Sequence, residues 1–194
     1  MAMAIPANMA REMVDEVIEF TRSYTIWREL MEKSHSIIRT THTDFFLTVT
    51  NSMVLAFCVG TYQLFDKNSR TKSLCRLIED LRPSDAALAQ RLDLQIKGQE
   101  PILEILFHIR NNVYGHRNKS KHPRDIFADA KLTPAMMKSV VQLAQEVVSA
   151  VAVASGAGKP DDLQMEFRDH ERYVLEDTRE VLIALQNCTS ECLS

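Results

Sequence analysis

The residues best suited to chemistry in this chain are Arg110 and His116. They stand six apart in Ile109-Arg110-Asn111-Asn112-Val113-Tyr114-Gly115-His116-Arg117. An arginine presents a planar fork of N–H donors that grips a phosphate through two parallel hydrogen bonds. A histidine titrates near neutrality, so it takes or gives a proton at physiological pH. Together the two are enough to cleave RNA without a metal. The imidazole takes the 2′-hydroxyl proton or protonates the leaving 5′-oxygen, and the guanidinium stabilises the phosphorane charge. On a continuous helix, six residues turn about 600° and leave the two side chains about 120° apart. They converge only if the helix unwinds at Gly115, or if a two-fold axis puts two Arg and two His in one cleft. The first alternative predicts a helix end at about Tyr114 to Gly115. The spacing alone favours a structural role, with Arg110 in an ion pair with a neighbouring helix and His116 merely ending the helix, because Arg and His six apart occur often by chance.

The same stretch opens the one clearly positive region of the chain. From Ile105 to Arg124 there are Arg110, Arg117, Lys119, Lys121, Arg124 and three His, with no Asp or Glu. The net charge of -3 excludes a globally basic nucleic-acid binder and leaves room for such a local patch.

Other constellations are weaker. His108, His116 and His122 have Glu104 and Asp125 nearby, but no Cys lies close, and a structural zinc site needs four ligands. Glu104 and His108 read as an ordinary contact one helical turn apart. No metal and no cofactor is expected. Gly156-Ala157-Gly158-Lys159 resembles the end of a phosphate-binding loop. However, Pro160 replaces the required Ser or Thr, Val153 stands where the first Gly belongs, and no strand precedes it. Cys188 and Cys192 read as an incidental pair near the chain end. With no C-x-x-C among Cys58, Cys75, Cys188 and Cys192, the thiols read as reduced, which places the protein in the cytoplasm.

The elements that must position Arg110 read as helices. The chain has 194 residues, 45% hydrophobic and 25% charged, enough for one domain with a sizeable core. Only 5 Gly and 6 Pro argue for long helices over many short strands. No apolar run reaches the roughly 18 residues that span a bilayer, so no membrane is expected. A first helix starts with Asn8 as cap and carries Met9, Met13, Val17, Tyr24, Trp27, Leu30 and Met31 to about Ser34. A second starts near Thr43-Asp44. It is almost apolar all round at Met53–Val59, which predicts a central, buried helix. Ser73 or Thr71 caps a short helix with Leu74, Leu77, Ile78 and Leu81. Ser84 caps the next, interrupted by Gly98 and Pro101, and Ile102 to Ile109 lead into Arg110. Residues 117–132 read as an irregular loop. Thr133-Pro134 starts a helix that ends at Ser155–Pro160, and a last acidic helix covers about 162–187. The expected fold is all-α: an up-and-down bundle of four to five long helices plus a short helix, in a single domain over 1–194 with its core at about 8–155.

The ordered set Thr43-Asp44-Phe45-Phe46, Tyr62-Gln63-Leu64-Phe65-Asp66, Ser73-Leu74 with Leu77-Ile78, and Arg110-Asn111 to His116-Arg117 resembles the AbiU-type abortive-infection branch of the HEPN superfamily (higher eukaryotes and prokaryotes nucleotide-binding domain). Arg, four to six residues and then His is that superfamily's motif, with Asn preferred directly after Arg. The resemblance implies a helical bundle, a homodimer, and a metal-independent endoribonuclease or RNA-binding protein of a phage-defence or toxin type, with RNA and an antitoxin protein as partners. Arg110 and His116 would be the catalytic pair, and Asn111 would orient the site or contact phosphate. The likeness covers about residues 40–125. The chain departs from it at Asn112-Val113-Tyr114-Gly115, where relatives often carry a basic residue after Arg-Asn and an Ala before His. Arg117, Lys119 and Lys121 would then supply the phosphate track. Two other readings predict different things: a non-catalytic nucleotide- or RNA-binding module binds with salt dependence and no turnover, and a structural bundle buries Arg110 in an ion pair.

Overall fold

In the computed structural model, apolar residues recurring every three or four positions make Ala7–Lys33 a helix (α1) buried along much of its length. Met13, Val14, Val17, Phe20, Thr21 and Tyr24 are all inside. The structure describes residues 5–33, 42–68, 70–115 and 123–192. α1 begins one residue before Asn8, because the Pro6 carbonyl accepts from the Met9 and Ala10 amides at 3.0 and 3.2 Å. Asn8 therefore sits inside the first turn and is not the cap.

Helix α2 (Thr43–Phe65) follows. Its hydroxyls are absorbed locally: Thr50 donates to the Phe46 carbonyl at 2.6 Å, and Thr61 to that of Phe57 at 2.8 Å. The expectation that α2 is the central buried helix is overturned. Phe57 and Cys58 are buried, but Met53, Val54, Leu55 and Val59 are half-buried and Ala56 is exposed, as are Phe45 and Leu47 further back. Hydropathy records how apolar a surface is, not how many neighbours come to cover it. The central helix is α1, which packs on α2 and on two helices from the far end of the chain.

Helix α3 (Leu74–Leu81) buries Leu74, Leu77, Ile78 and Leu81, one full i, i+3, i+4, i+7 face. Ser73 is its cap: the hydroxyl accepts from the Arg76 amide at 3.2 Å and donates to the Asp66 carbonyl at 2.7 Å, tying α3 to the end of α2. Helix α4 (Ala86–Gly98) is capped by Asp85, which accepts from the Leu88 amide at 2.9 Å. Ser84 instead donates back to the Leu81 carbonyl and closes the preceding turn. Helix α5 (Glu100–Ile109) takes Pro101 in its first turn, where a missing N–H costs nothing.

A π-helical turn, Arg110–Gly115, continues α5. Helix α6 (Pro123–Ala130) replaces part of the expected loop at 117–132; Pro123 starts it and Ile126 buries its one deep anchor. Helix α7 (Pro134–Ala154) is capped by Thr133 and buries nine residues from Met137 to Ala152. It stops where Gly156, at φ 74°, lets the Ala157 amide reach back to the Ala152 carbonyl at 2.8 Å. Helix α8 (Pro160–Cys192) runs 33 residues and returns along α1.

The fold is all-α, with four long helices (α1, α2, α7, α8) and no strand among the described residues. α1 contacts α2, α7 and α8; α5 packs on α2, and α3 closes onto α4 and α7. By length and composition, α2 and α7 both reach what a membrane crossing needs, against the reading that no apolar run does. α7 is a core helix. α2 is far less covered.

Polar ties join α8 to α1. Arg11 donates to Glu166 at 2.8 Å, and Arg28 reaches Glu171 at 2.9 Å. Arg179 reaches Glu29 at 2.6 Å, and Glu29 is only 1% exposed. Between these ties His170 turns its Nε2 inward, buried and without a hydrogen-bond partner. Burial lowers its imidazolium pKa below the ordinary value, and Arg22 adds to this while Glu19 and Glu166 oppose it. The unfolded chain, with His near pH 6.5, therefore binds the proton more readily than the folded one. Stability contributed by neutral His170 is complete above about pH 6.5 and is lost as pH falls towards the lower folded value. His170→Gln is expected to flatten the melting temperature against pH in that window. Parallel profiles for variant and wild type would show that His170 has no such part.

Candidate functional site

Arg110 stands where α-helix becomes π-helix. Its amide still bonds the Leu106 and Phe107 carbonyls, as in the end of an α-helix, and the wider i→i+5 winding begins at its own residue. Such turns shift every later side chain in register, and they concentrate at functional sites. The α-helical ladder gives way to π winding at Arg110, and helical winding runs through Gly115, the last described residue before 123, so whether the helix ends there lies outside the described residues. Asn112 braces the turn by donating to the His108 carbonyl at 2.9 Å, with the His108 Nδ1 at 3.2 Å.

The Arg110 guanidinium carbon lies 4.3 Å above the centre of the Tyr62 ring, a cation–π contact. Its Nη1 donates to Asn111 Oδ1 at 2.9 Å. Among the described residues it forms no ion pair, although it lines a groove of about 940 Å³ with Asp15, Glu16, Glu19 and Asp66. Each of those acids is otherwise engaged. Asp15 meets Arg11 at 3.2 Å, Glu19 meets Arg22 at 2.9 Å, and Glu16 meets Lys72 at 2.9 Å. Asp66 accepts from the Asn68 amide at 3.0 Å, a local turn. A structural bundle predicted Arg110 in a buried ion pair. Instead the guanidinium is half-buried, open to a groove, and matched by a ring and an amide oxygen.

Of the residues expected at the site, Arg110 and Asn111 lie side by side, Asn111 exposed. His116, Arg117, Lys119 and Lys121 lie outside the described residues. Tyr62 was not among the expected site residues. Its signal was present in Tyr62-Gln63-Leu64-Phe65-Asp66, a string noted for resemblance and not for chemistry.

Of the metal candidate His108, His116 and His122, only His108 lies within the described residues. Among the described residues no three His, Cys, Asp or Glu side chains gather as a metal site. Gly156–Lys159 follows a helix, and Gly158 packs closely on Leu163, where a Cβ would come within 3.1 Å. Burial pushes the Cys58 thiol up to about 12 and the Cys75 thiol up to about 11, so neither is a ready nucleophile. A separate groove of about 790 Å³ between α7 and α8 mixes Arg91 and Arg168 with Asp85, Glu146, Asp161 and Glu171, without one dominant charge.

A helical bundle with Arg-Asn at the end of an internal helix, open to a groove, agrees with the HEPN-type domain expected from the sequence. The AbiU2 family model of HEPN domains matches residues 7–174, and the chain belongs to that family, whose name ties it to abortive infection. No curated protein and no solved structure matches the chain.

Proposed function

We propose that the protein is a metal-independent endoribonuclease of a phage-defence or toxin type, acting as a homodimer on RNA and restrained by an antitoxin protein. The observation that carries this reading is the Arg110 guanidinium, which lines an open groove and is held by Tyr62 and Asn111 with no carboxylate bound to it among the described residues. Family membership supports the same reading. A phosphodiester gripped by Arg110 would have its developing phosphorane charge stabilised by the remaining N–H donors. His116 would take the 2′-hydroxyl proton. The 2′-oxygen then bonds to phosphorus, the 5′-oxygen leaves and is protonated, and the cut ends carry a 2′,3′-cyclic phosphate and a 5′-hydroxyl. Arg117, Lys119 and Lys121 would track the flanking phosphates.

The test is purified protein with single-stranded RNA in EDTA. Cleavage with cyclic phosphate ends, lost in His116→Ala, is the expected result. No cleavage, or a His116→Ala protein as active as wild type, rules the mechanism out. Salt-dependent RNA binding without turnover would identify a binding module instead.

A further inference from the structure

Arg110 lies in contact with an element far away in the chain. Tyr62 belongs to the last turn of α2, and its ring is fixed from two sides. Phe107, three residues before Arg110 on α5, meets it edge-on with centroids 5.3 Å apart and planes at 71°. Arg110 covers a ring face at 4.3 Å. The Tyr62 side chain lines the groove that holds Arg110, and it also lines a second groove of about 660 Å³ walled by Phe107, Glu104 and Lys67. Tyr62 and Asp66 line both grooves.

The manner of holding matters. A carboxylate clamp would consume the N–H edge of the guanidinium, which is the edge a phosphate needs. An aromatic face takes only the flat side of the ion and leaves the edge free. Asn111 engages Nη1, and among the described residues no other side chain takes the remaining N–H donors. A long, flexible arginine at the start of a π turn has many rotamers, and stacking on a braced ring selects among them.

We infer that Tyr62, braced by Phe107, is a positioning residue: its ring holds the Arg110 guanidinium flat and turns its donor edge to the phosphate of a bound RNA. This rests on the nuclease reading for its ligand, but the clamp has a signature of its own. Stacking needs the ring and not the hydroxyl, so Tyr62→Phe keeps the function and Tyr62→Leu loses it.

The experiment has two arms on the full chain. In the first, arginine side-chain NMR, with Arg110 assigned through Arg110→Lys, is expected to show a ring-current shift. That shift should be kept in Tyr62→Phe and lost in Tyr62→Leu. In the second, cleavage of a single-stranded oligoribonucleotide is measured in EDTA. Tyr62→Leu should lower kcat/KM about tenfold at a temperature where a thermal melt shows the variant folded, with Tyr62→Phe within about twofold of wild type. Because Tyr62 acts through Arg110, Tyr62→Leu should add nothing to Arg110→Ala. A Tyr62→Leu protein with the shift intact, or with losses that multiply with those of Arg110→Ala, overturns the inference. A wild-type protein that shows the shift and leaves RNA uncut overturns the nuclease reading and supports the clamp.

Discussion

Arg110→Ala is expected to slow RNA cleavage by about two to three orders of magnitude, the usual cost of removing one donor aimed at transition-state charge. The melting temperature should stay close to that of wild type. Both halves follow from the same geometry. Arg110 has no acid partner among the described residues, so its removal strands no buried carboxylate. Its losses are the Tyr62 face and one bond to Asn111, at a half-buried position. Arg110→Lys separates charge from shape. Lysine keeps the positive charge and loses both the two-pronged grip and the flat stacking surface, so a loss between wild type and alanine is expected. Initial rates on labelled single-stranded RNA in EDTA, with a thermal melt of each variant alongside, provide the check. A folded Arg110→Ala protein cutting at the wild-type rate would remove Arg110 from the chemistry.

The largest expected effect on stability is at Phe57. It is fully buried, stacked on Phe20 with centroids 4.8 Å apart and tilted against Tyr24 at 6.1 Å. One turn on, Gly60 lets α1 and α2 approach closely, since a Cβ there would come within 2.8 Å of the Phe20 ring. Phe57→Ala removes the ring that α1 closes upon, and the close-packed helices cannot collapse fully into the space. The cost is about 3–5 kcal/mol, which for a chain of this length corresponds to a fall of roughly 10 °C in melting temperature. Phe57→Leu, which refills most of the volume, should cost much less. Because α2 is otherwise sparsely covered, the alanine variant should also loosen Tyr62, five residues on. Chemical denaturation of both variants tests this; equal midpoints for Phe57→Ala and wild type would show that the α1–α2 contact does not depend on this ring.

Much of this fold is legible where the signal is local. Thr133-Pro134 announces the start of α7 because a cap and a proline at the first turn act within four residues, and the face of α3 is written in Leu74, Leu77, Ile78 and Leu81. Caps that compete at neighbouring positions are harder. Ser84 and Asp85 are both good caps, and only the turn at Leu81 decides between them. α6 was hidden because an eight-residue helix with one deep anchor has almost no period to read. The largest misreading, α2 as the central helix, came from treating apolar character as burial. The neighbours that would have covered Ala56 and Phe45 went to α1 instead. At the site, the type and place of Arg110 were readable from its own stretch. Its partner was not, because Tyr62 becomes adjacent only when α2 and α5 pack.

The tie between Arg179 and Glu29 has a consequence for how the molecule opens. α8 is about 50 Å long at 1.5 Å per residue, and the family match ends at Val174. Beyond that point the helix is held by Arg179 on Glu29 and by Leu182 against Leu30 and Phe46. Peeling this arm away would let water reach the Glu29 carboxylate, so the freed charge is hydrated and not stranded. The last turns are therefore expected to exchange their amides through local opening, ahead of those of α1 and α7. Lifting the arm would also uncover Phe46 on α2, so it ties the far end of the chain to the helix that carries Tyr62.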